Sequence, residues 1–465
     1  MAAEDTLAEG TRGGFVATMA PYFRPRPVAA FLLGISSGFP LALLLGTMTF
    51  WLAKVGIDKR TIGFAIGLTT PYTLKFLWAP LVDRLRLPVL TRLFGQRRAW
   101  LFLVQALLFL SVWMLGASQP ELHLGVFAFW AIATAFLGAT QDIVIDAYRI
   151  EILPEDELAH GTANNQFGYR LGAFFAGVGT IAIASPEGLG LGWATAYGLT
   201  GFCVLPGMLA ALWAGRGLHD RVIRDEAWQG LGRWLSATLI GPFREFLARR
   251  GALLILFFVL IYKLGDAMGQ AMLNPMIVEL GFSDTEFIAI NKVIGFWGLI
   301  LGTALSAPLL AWLGMGRALF VSGVLMMVSN LTFAVLASQG HSTLWLTIAV
   351  ATEQVTSGMG LTIFVTYLSG LSSLAYTATQ FALLSSLAGV GRTWLSTPAG
   401  LLAEGLGWVG FWVMTAVVAI PGMLLLWVLW KKGFVVESVR RARAAAEAPG
   451  QLPSEPPVGA APAAR

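Results

Sequence analysis

Residues 252–275 read ALLILFFVLIYKLGDAMGQAMLNP, and this stretch has the length of a membrane-spanning helix, since about twenty residues cross the hydrocarbon core. Lys263 and Asp266 lie in its middle. A charged side chain at that depth costs about 2.5–3.5 kcal/mol on insertion scales, so it must face protein or a water-filled cavity. The i,i+3 spacing places the two side chains on one face, where they can neutralise each other. The stretch therefore predicts a helix that lines a polar path through a bilayer. An ion pair that only locks two helices together is the alternative.

The composition of the whole chain indicates the same class of protein. Of its 465 residues, 56% are hydrophobic and 12% are charged, whereas soluble domains carry about 25% charged residues. The single cysteine and four scattered histidines give no spacing of metal ligands, so we predict no metal site. The net charge of +5 is explained by basic cytoplasmic loops and does not indicate a nucleic-acid partner. We also expect no cleavable signal peptide, because the first 27 residues contain no sustained apolar core.

Hydropathy predicts about twelve membrane spans. Numbered one to twelve in chain order, they are residues 28–52, 61–82, 99–117, 124–149, 162–184, 192–214, 252–275, 287–311, 317–337, 343–368, 376–399 and 407–430. The predicted organisation is a cytoplasmic N-terminal segment (1–27), a first half (28–214), a cytoplasmic linker (215–251), a second half (252–430) and a disordered basic, Ala/Pro-rich cytoplasmic tail (431–465). Basic residues concentrate in the N-terminal segment, the loop after span two, the linker and the tail, which predicts that both termini are cytoplasmic.

An internal repeat relates the two halves. AGVG occurs at 176–179 and again at 388–391, about half the chain apart. Two further matches at nearly the same offset are Gly192-Trp193 with Gly407-Trp408, and PGML at 206–209 with PGML at 421–424. An even number of spans in each half makes the repeat parallel, which is typical of transporters built from two six-helix halves. Chance use of common glycine packing motifs is the alternative.

Polar residues inside the spans are candidates for the transport path. In span four, Asp142 and Asp146 share a face, and Arg170 in span five lies at a similar depth, so an Asp142–Arg170 pair is predicted. The leftover carboxylate can carry a proton, or the group can be a purely structural triad. Lys75 in span two either snorkels to the interface or faces the cavity. Glu353, near the centre of span ten, is the best single candidate for a proton carrier.

The candidate substrate-binding residues are Gln141, Tyr169, Arg170, Lys263, Asn291, Lys292, Gln380 and Arg392, and the candidate proton-coupling residues are Glu353, Asp142, Asp146 and Asp266. The number of cations favours a substrate with carboxylates or other anionic groups. The chain has no phosphate-binding glycine loop and no catalytic constellation, which disfavours ATP-driven transport and an enzyme. A membrane-embedded transferase is the remote alternative, because it would need a carboxylate or histidine cluster in an interfacial loop, whereas the polar residues here lie inside the spans.

The loop after span two contains Asp83, Arg84, Arg97 and Arg98. This run resembles the cytoplasmic loop motif of the major facilitator superfamily, in which an acidic residue at a helix end meets basic residues and a neighbouring helix end. The resemblance implies that these four residues form a conformational gate.

Several further stretches resemble the AmpG muropeptide permease family, a branch of that superfamily. They are GISSGFPLAL at 34–43, KFLWAPLVDR at 75–84, TQDIVIDAYRIEILP at 140–154, GYRLG at 168–172, YKLGDA at 262–267, NK at 291–292 and ATQFALLSSLAGVGR at 378–392. They lie in both halves of the chain. The resemblance implies an all-α polytopic protein with the major facilitator superfamily fold, about twelve helices in two parallel six-helix halves.

The resemblance also implies a function. It implies an importer in the bacterial inner membrane that moves anhydro-muropeptides, which are small glycopeptides, inward with the proton gradient. No cofactor is implied, and we expect a monomer surrounded by membrane lipids. The associated roles are peptidoglycan recycling and, in some bacteria, β-lactamase induction. Some family members carry two further C-terminal spans. Related members move acetyl-coenzyme A, so the alternative is a transporter of another anionic amphiphile such as acetyl-coenzyme A.

Overall fold

The computed structural model describes residues 19–57, 68–186, 188–217, 240–283, 286, 288–396, 398–435 and 439. The regular elements of these residues are helices. In this part of the chain, nine helices are long and apolar enough to cross a membrane. They are Pro25–Leu52, Gln96–Ala117, Leu124–Ile152, Glu155–Ala184, Gly192–Ala214, Ala252–Glu279, Gly295–Gln339, Thr343–Leu371 and Ala399–Lys431.

The other predicted spans are found within or between these helices. Spans eight and nine form the single element Gly295–Gln339, which bends where Gly314 adopts a φ of 72°. Span eleven is the helix Thr377–Trp394, whose polar residues lower its mean hydropathy. Span two is described from residue 68 onward, as the short helices Thr70–Leu74, Lys75–Leu77 and Ala79–Arg84. The helix order is therefore the one that hydropathy predicted.

Shorter helices flank the spans. They are Ala20–Phe23 before span one, Leu90–Phe94 before span three and Gly241–Leu247 before span seven. The first part of span eight is a π-helix, Ile288–Ile294. Much of the predicted N-terminal segment, linker and tail lies outside the described residues, namely 1–18, 218–239 and all but residue 439 of the part after 435.

Spans one and five touch backbone to backbone. A Cβ on Gly38 of span one would lie 2.0 Å from the carbonyl oxygen of Tyr169, and a Cβ on Gly168 of span five would lie 2.0 Å from that of Phe31. Small residues allow such close approach between membrane helices. The glycines of 34–43 thus serve packing, since the helix Pro25–Ala42 continues through them.

The second half repeats parts of this arrangement. A Cβ on Gly391 of span eleven would lie 2.1 Å from the carbonyl oxygen of Leu260 in span seven, so span eleven packs on span seven as span five packs on span one. Gly192 and Gly407, which precede the matched tryptophans of the repeat, have φ angles of 75° and 65°. This matched pair therefore shares a backbone conformation, whereas the AGVG segments differ, since 176–179 lies in the π-helix Phe175–Gly179 and 388–391 in the α-helix Thr377–Trp394.

Hydrogen bonds join the two halves at one end of the bundle, where spans two, four and ten end. Arg84 Nη2 donates to the Tyr376 hydroxyl (3.2 Å), and Arg149 Nη2 donates to Ser369 Oγ (3.2 Å). We call this end of the bundle the closed end.

The glycine seam between spans one and five gives a stability prediction. Replacing Gly38 with alanine forces the two backbones apart, and overpacking of this kind costs about 1–3 kcal/mol. A Cβ added to Gly46, further along the same span, would have no other atom within 4 Å, so Gly46→Ala is the matched control and removes only glycine's conformational freedom. In thermal unfolding of the purified protein, Gly38→Ala should melt well below Gly46→Ala. Equal melting temperatures of the two variants would contradict the close backbone packing of spans one and five at Gly38.

Candidate functional site

The polar residues of the first half form a compact charge cluster. Lys75 Nζ lies 3.7 Å from Asp142 Oδ2 and 3.8 Å from Asp146 Oδ2. Arg149 Nη2 lies 3.4 Å from Asp146 Oδ1, and Ser37 Oγ of span one donates to Asp142 Oδ1 at 2.5 Å. Two cations thus face two carboxylates, and the cluster is electrically neutral when all four are ionised.

The ion-pair partner of Asp142 differs from the predicted one. The sequence predicted Arg170, because the two residues lie at similar depths, but the structure gives Lys75. Lys75 begins the 3₁₀ turn Lys75–Leu77 and is buried, so it faces the cluster and does not snorkel. The short helices on either side of that turn place the ammonium between the two carboxylates, and this break was not visible in the hydropathy pattern.

Gln141 and Gln380 are both engaged in contacts between helices. Gln141 is fully buried, and its Nε2 donates to the carbonyl oxygen of Ser36 at 2.5 Å. Gln380 lies at the closed end, where its amide bonds Glu245 and the carbonyl oxygen of Pro242. Their predicted role in substrate binding stays a prediction. The side chains of Asn291 and Lys292 lie outside the described part of the structure.

Two arginines, one in each half, lack a carboxylate partner among the described residues. Arg170 and Arg392 both interact electrostatically with Tyr169, which also interacts with Asp142. In the described part of the chain, no carboxylate oxygen lies within 4.0 Å of either guanidinium. Tyr169 is therefore an electrostatic neighbour of both Asp142 in the first half and Arg392 in the second half.

The second half carries the predicted ion pair in span seven. Lys263 Nζ lies 3.0 Å from Asp266 Oδ2, which confirms the pairing expected from the i,i+3 spacing. Lys263 stands at a break between the helices Ala252–Ile261 and Leu264–Glu279. Asp266 lies in the first turn of the second of these helices, where the helix dipole stabilises a carboxylate.

Glu353 lies in span ten beside this pair. It is 2% exposed, and Gln270 Nε2 donates to its Oε1. Its Oε2 is buried, and no hydrogen-bond partner for it is found among the described residues. Lys263 and Asp266 both interact with it electrostatically, although the Lys263 ammonium forms its ion pair with Asp266. Glu353 is thus a buried carboxyl group whose hydrogen bonding is only half complete.

A cavity of about 80 Å³ opens between spans seven, ten and eleven. Lys263 and Arg392 are its charged lining residues. The rest of the lining is apolar except for one serine, and consists of Val259, Leu260, Leu361, Phe364, Val365, Leu368, Phe381, Ser385 and Ala388. An apolar wall with two cations is suited to an anionic group attached to a less polar body.

Asp83 fastens the first half to span eleven at the closed end. Its carboxylate accepts hydrogen bonds from the backbone nitrogens of Ala378 (3.1 Å) and Thr379 (2.8 Å) and from Thr379 Oγ1 (2.5 Å). These groups are at the N-terminus of the helix Thr377–Trp394, where unpaired N–H groups and the helix dipole favour an anion. Arg97 Nη2 lies 2.6 Å from the same carboxylate. We call this arrangement the Asp83 latch.

The other predicted gate residues lie around the latch. Arg97 also pairs with Glu151 at the end of span four (2.8 Å), a partner that the sequence did not single out. Arg84 reaches Tyr376 of the second half. Arg98 lies over the Phe94 ring, with 5.9 Å from the guanidinium carbon to the ring centroid. Arg84 and Arg97 thus act at or beside the interface between the halves, and Arg98 contacts its own half.

Membrane-spanning helices in two similar halves, with charged groups inside the spans and a latched end, define a multi-pass membrane transporter. Residues 30–396 match the family model described as Major Facilitator Superfamily, and the chain belongs to that superfamily, as an AmpG-like permease. It is a protein of the bacterial inner membrane and a transporter, not an enzyme. The predicted fold class and family are confirmed.

Relatives and solved structures agree with this assignment. The Anhydromuropeptide permease of Escherichia coli K12 is 34% identical over 404 residues, which cover 87% of this chain and 79% of the relative. Putative transporter AmpG 4 of Rickettsia conorii is 33% identical over 399 residues, which cover 85% of this chain and 94% of that relative. Among solved structures, a double-tryptophan mutant of XylE gives a TM-score of 0.64 at 13% identity, covering 86% of this chain and 94% of XylE. FucP in the outward conformation gives a TM-score of 0.59 at 13% sequence identity, and the match covers 87% of this chain and 98% of FucP.

The Asp83 latch predicts how the closed end responds to a mutation. Removing one partner of a buried ion pair costs about 3–5 kcal/mol, so Asp83→Asn should weaken the closed end. The reporter is Ala382→Cys in a Cys203→Ala background, because Ala382 is buried in a cluster that combines residues of both halves. Labelling of this cysteine by a water-soluble maleimide should become several-fold faster in Asp83→Asn.

The control for this experiment is Asp156→Asn, since Asp156 is a largely exposed carboxylate at the same end. It should leave the labelling rate unchanged. An unchanged rate in Asp83→Asn, in protein that remains folded, would show that the latch does not hold the closed end.

Proposed function

We propose that the protein is a proton-coupled importer of anhydro-muropeptides, which works by alternating access and serves peptidoglycan recycling, with a link to β-lactamase induction. The name and high coverage of the Escherichia coli relative support the substrate class. No cofactor is needed in this proposal, because the proton gradient supplies the driving force. The observation that carries proton coupling is the environment of Glu353.

Glu353 has the properties of a group that gains and loses a proton during transport. Its side chain is almost wholly buried, and one carboxylate oxygen has no partner in the described part of the chain. An ionised carboxylate in such a place is costly, so a buried group of this kind tends to be neutral. Contact with water or closer approach of Lys263 stabilises the ionised form. Its charge therefore depends on which side of the membrane the cavity faces.

The other three candidate carboxylates are less suited to this role. Asp142 and Asp146 share Lys75, and Asp146 also meets Arg149. Asp266 has Lys263 at 3.0 Å. Each of these carboxylates already has a cation that stabilises its ionised form. We therefore assign them to holding the site together and Glu353 to proton coupling.

The Asp83 latch and the basic residues near it support a proposal for the side of the membrane from which substrate enters. Basic loop residues concentrate at the closed end, which favours a cytoplasmic location for that end and for both termini. In this proposal the described conformation is closed toward the cytoplasm, and substrate enters from the opposite side. Release then requires the Asp83 latch to separate, as the halves rotate as rigid bodies around the site.

The substrate is proposed to be bound between the two halves. Arg170 and Arg392, which lack carboxylate partners in the described part of the chain, provide positive charge on both sides. Charge-assisted hydrogen bonds from arginine are well suited to the carboxylates of a glycopeptide.

Glu353→Gln tests the coupling role. Glutamine keeps the shape of the protonated acid but cannot release a proton. We expect this variant to lose accumulation of labelled anhydro-muropeptide driven by a pH gradient in proteoliposomes, while counterflow exchange of substrate is at least partly retained. Glu404→Gln, which changes an exposed glutamate, should leave both activities unchanged. Normal gradient-driven accumulation by Glu353→Gln would remove Glu353 from the coupling role and favour Asp142 or Asp146.

A further inference from the structure

We propose that a carboxylate of the substrate binds in the cavity between spans seven, ten and eleven, at Arg392 and Lys263, and that it binds together with a proton on Glu353. This inference rests on the proposed function and deepens it. It names the chemical group that the second half recognises, and it gives a physical reason why that group and the proton are carried together.

The cavity has the charge needed to receive one anion. Arg392 and Lys263 both line it. Lys263 is already paired with Asp266 at 3.0 Å, whereas Arg392 has no carboxylate partner in the described part of the chain. The remaining lining is almost entirely apolar, with aromatic rings from Phe364 and Phe381. Arg392 itself is exposed, so an anion that enters the cavity can reach its guanidinium, which offers charge-assisted hydrogen bonds to a carboxylate.

Lys263 connects this cavity to Glu353. The Lys263 side chain borders the cavity, and its ammonium interacts electrostatically with Glu353 as well as forming the pair with Asp266. Lys263 and Asp266, both on span seven, are the charged groups that act on Glu353 among the described residues, and Gln270 on the same span donates a hydrogen bond to it. Protonation of Glu353 and occupation of the cavity by an anion therefore affect the same small set of charges.

The balance of these charges decides when an anion can enter. Counted over the cavity lining and the groups that act on Glu353, the positive charges of Lys263 and Arg392 equal the negative charges of Asp266 and ionised Glu353. An added carboxylate then leaves one negative charge uncompensated beside the buried Lys263 and Glu353. With Glu353 protonated, the same group carries one net positive charge, and the carboxylate brings it to zero. The anion and the proton thus favour each other's binding, which is the thermodynamic requirement for symport.

The charge cluster of the first half is balanced differently. Lys75 and Arg149 are matched by Asp142 and Asp146, so that cluster is neutral with all its members ionised and has no net charge for an anion to balance. The further cation of this half is Arg170, which shares Tyr169 with Arg392 as an electrostatic neighbour. Arg170 adds positive charge in the first half, but it is neither a lining residue of the cavity nor one of the charged groups that act on Glu353.

Two matched ligands test the inference on the unmodified protein. One is N-acetylglucosaminyl-anhydro-N-acetylmuramyl-L-alanine, which carries a single carboxylate, and the other is its uncharged C-terminal carboxamide. Binding is measured by titration calorimetry at alkaline pH in two buffers with different heats of ionisation, which gives the number of protons taken up. We expect uptake of up to one proton per carboxylate ligand and none for the carboxamide. The Kd of the carboxylate should rise about tenfold per pH unit where Glu353 is ionised, while that of the carboxamide stays constant.

Two variants separate the roles of the proton and the cation. Glu353→Gln fixes the net positive charge, so it should abolish proton uptake while retaining carboxylate binding. Arg392→Gln removes that charge, so carboxylate affinity should fall at least tenfold, towards that of the carboxamide. Glu404→Gln and Arg26→Gln change exposed residues of the same types and should alter neither quantity.

Equal affinities for the two ligands, or equal proton uptake with both, would overturn the inference even if the variants fail to fold. The proposed function would still stand in that case if gradient-driven import of intact anhydro-muropeptide is observed. If the unmodified protein neither binds nor imports any anhydro-muropeptide, the proposed function fails and this inference fails with it.

Discussion

The rest of this structure depends on the cost of an uncompensated charge inside a bilayer. A lone ionised side chain there costs several kcal/mol, so charges within spans must be paired, neutralised or hydrated. Lys75 is shared by Asp142 and Asp146, and Lys263 is paired with Asp266. Among the four candidate carboxylates, Glu353 is the one without an ion-pair partner in the described part of the chain, and its second oxygen accepts no hydrogen bond there. A site in which most charges are fixed leaves one group whose charge can change, and transport coupling needs such a group.

Two kinds of contact divide the structure into rigid and movable parts. Within the first half, Gly38 and Gly168 bring the backbones of spans one and five into direct contact, and close packing of this kind resists deformation. Between the halves, the closed end is held by polar contacts such as those of Asp83 with Thr379. Such contacts can be exchanged for water when the halves rotate. Rigid halves with a polar, separable interface are suited to alternating access.

The sequence predicted contacts within one helix better than contacts between helices. The Lys263–Asp266 pair follows from i,i+3 spacing alone and is confirmed. The partner of Asp142 was predicted wrongly, because depth along the membrane does not report which way a helix is rotated, and because the 3₁₀ turn at Lys75 has no hydropathy signal. Glu151 was missed for a related reason, since only the fold brings it to Arg97. The fold class itself was predictable, since hydropathy and the internal repeat are properties of the chain alone.

The central claim is that a proton gradient drives inward movement of anhydro-muropeptides. Its most direct test is uptake of labelled anhydro-muropeptide by proteoliposomes with an imposed pH gradient, with and without a protonophore, and with excess unlabelled acetyl-coenzyme A as competitor. The account predicts accumulation above the external concentration, its loss when the protonophore collapses the gradient, and no competition by acetyl-coenzyme A. Accumulation that is insensitive to the protonophore would contradict proton coupling, and strong competition by acetyl-coenzyme A would contradict the proposed substrate.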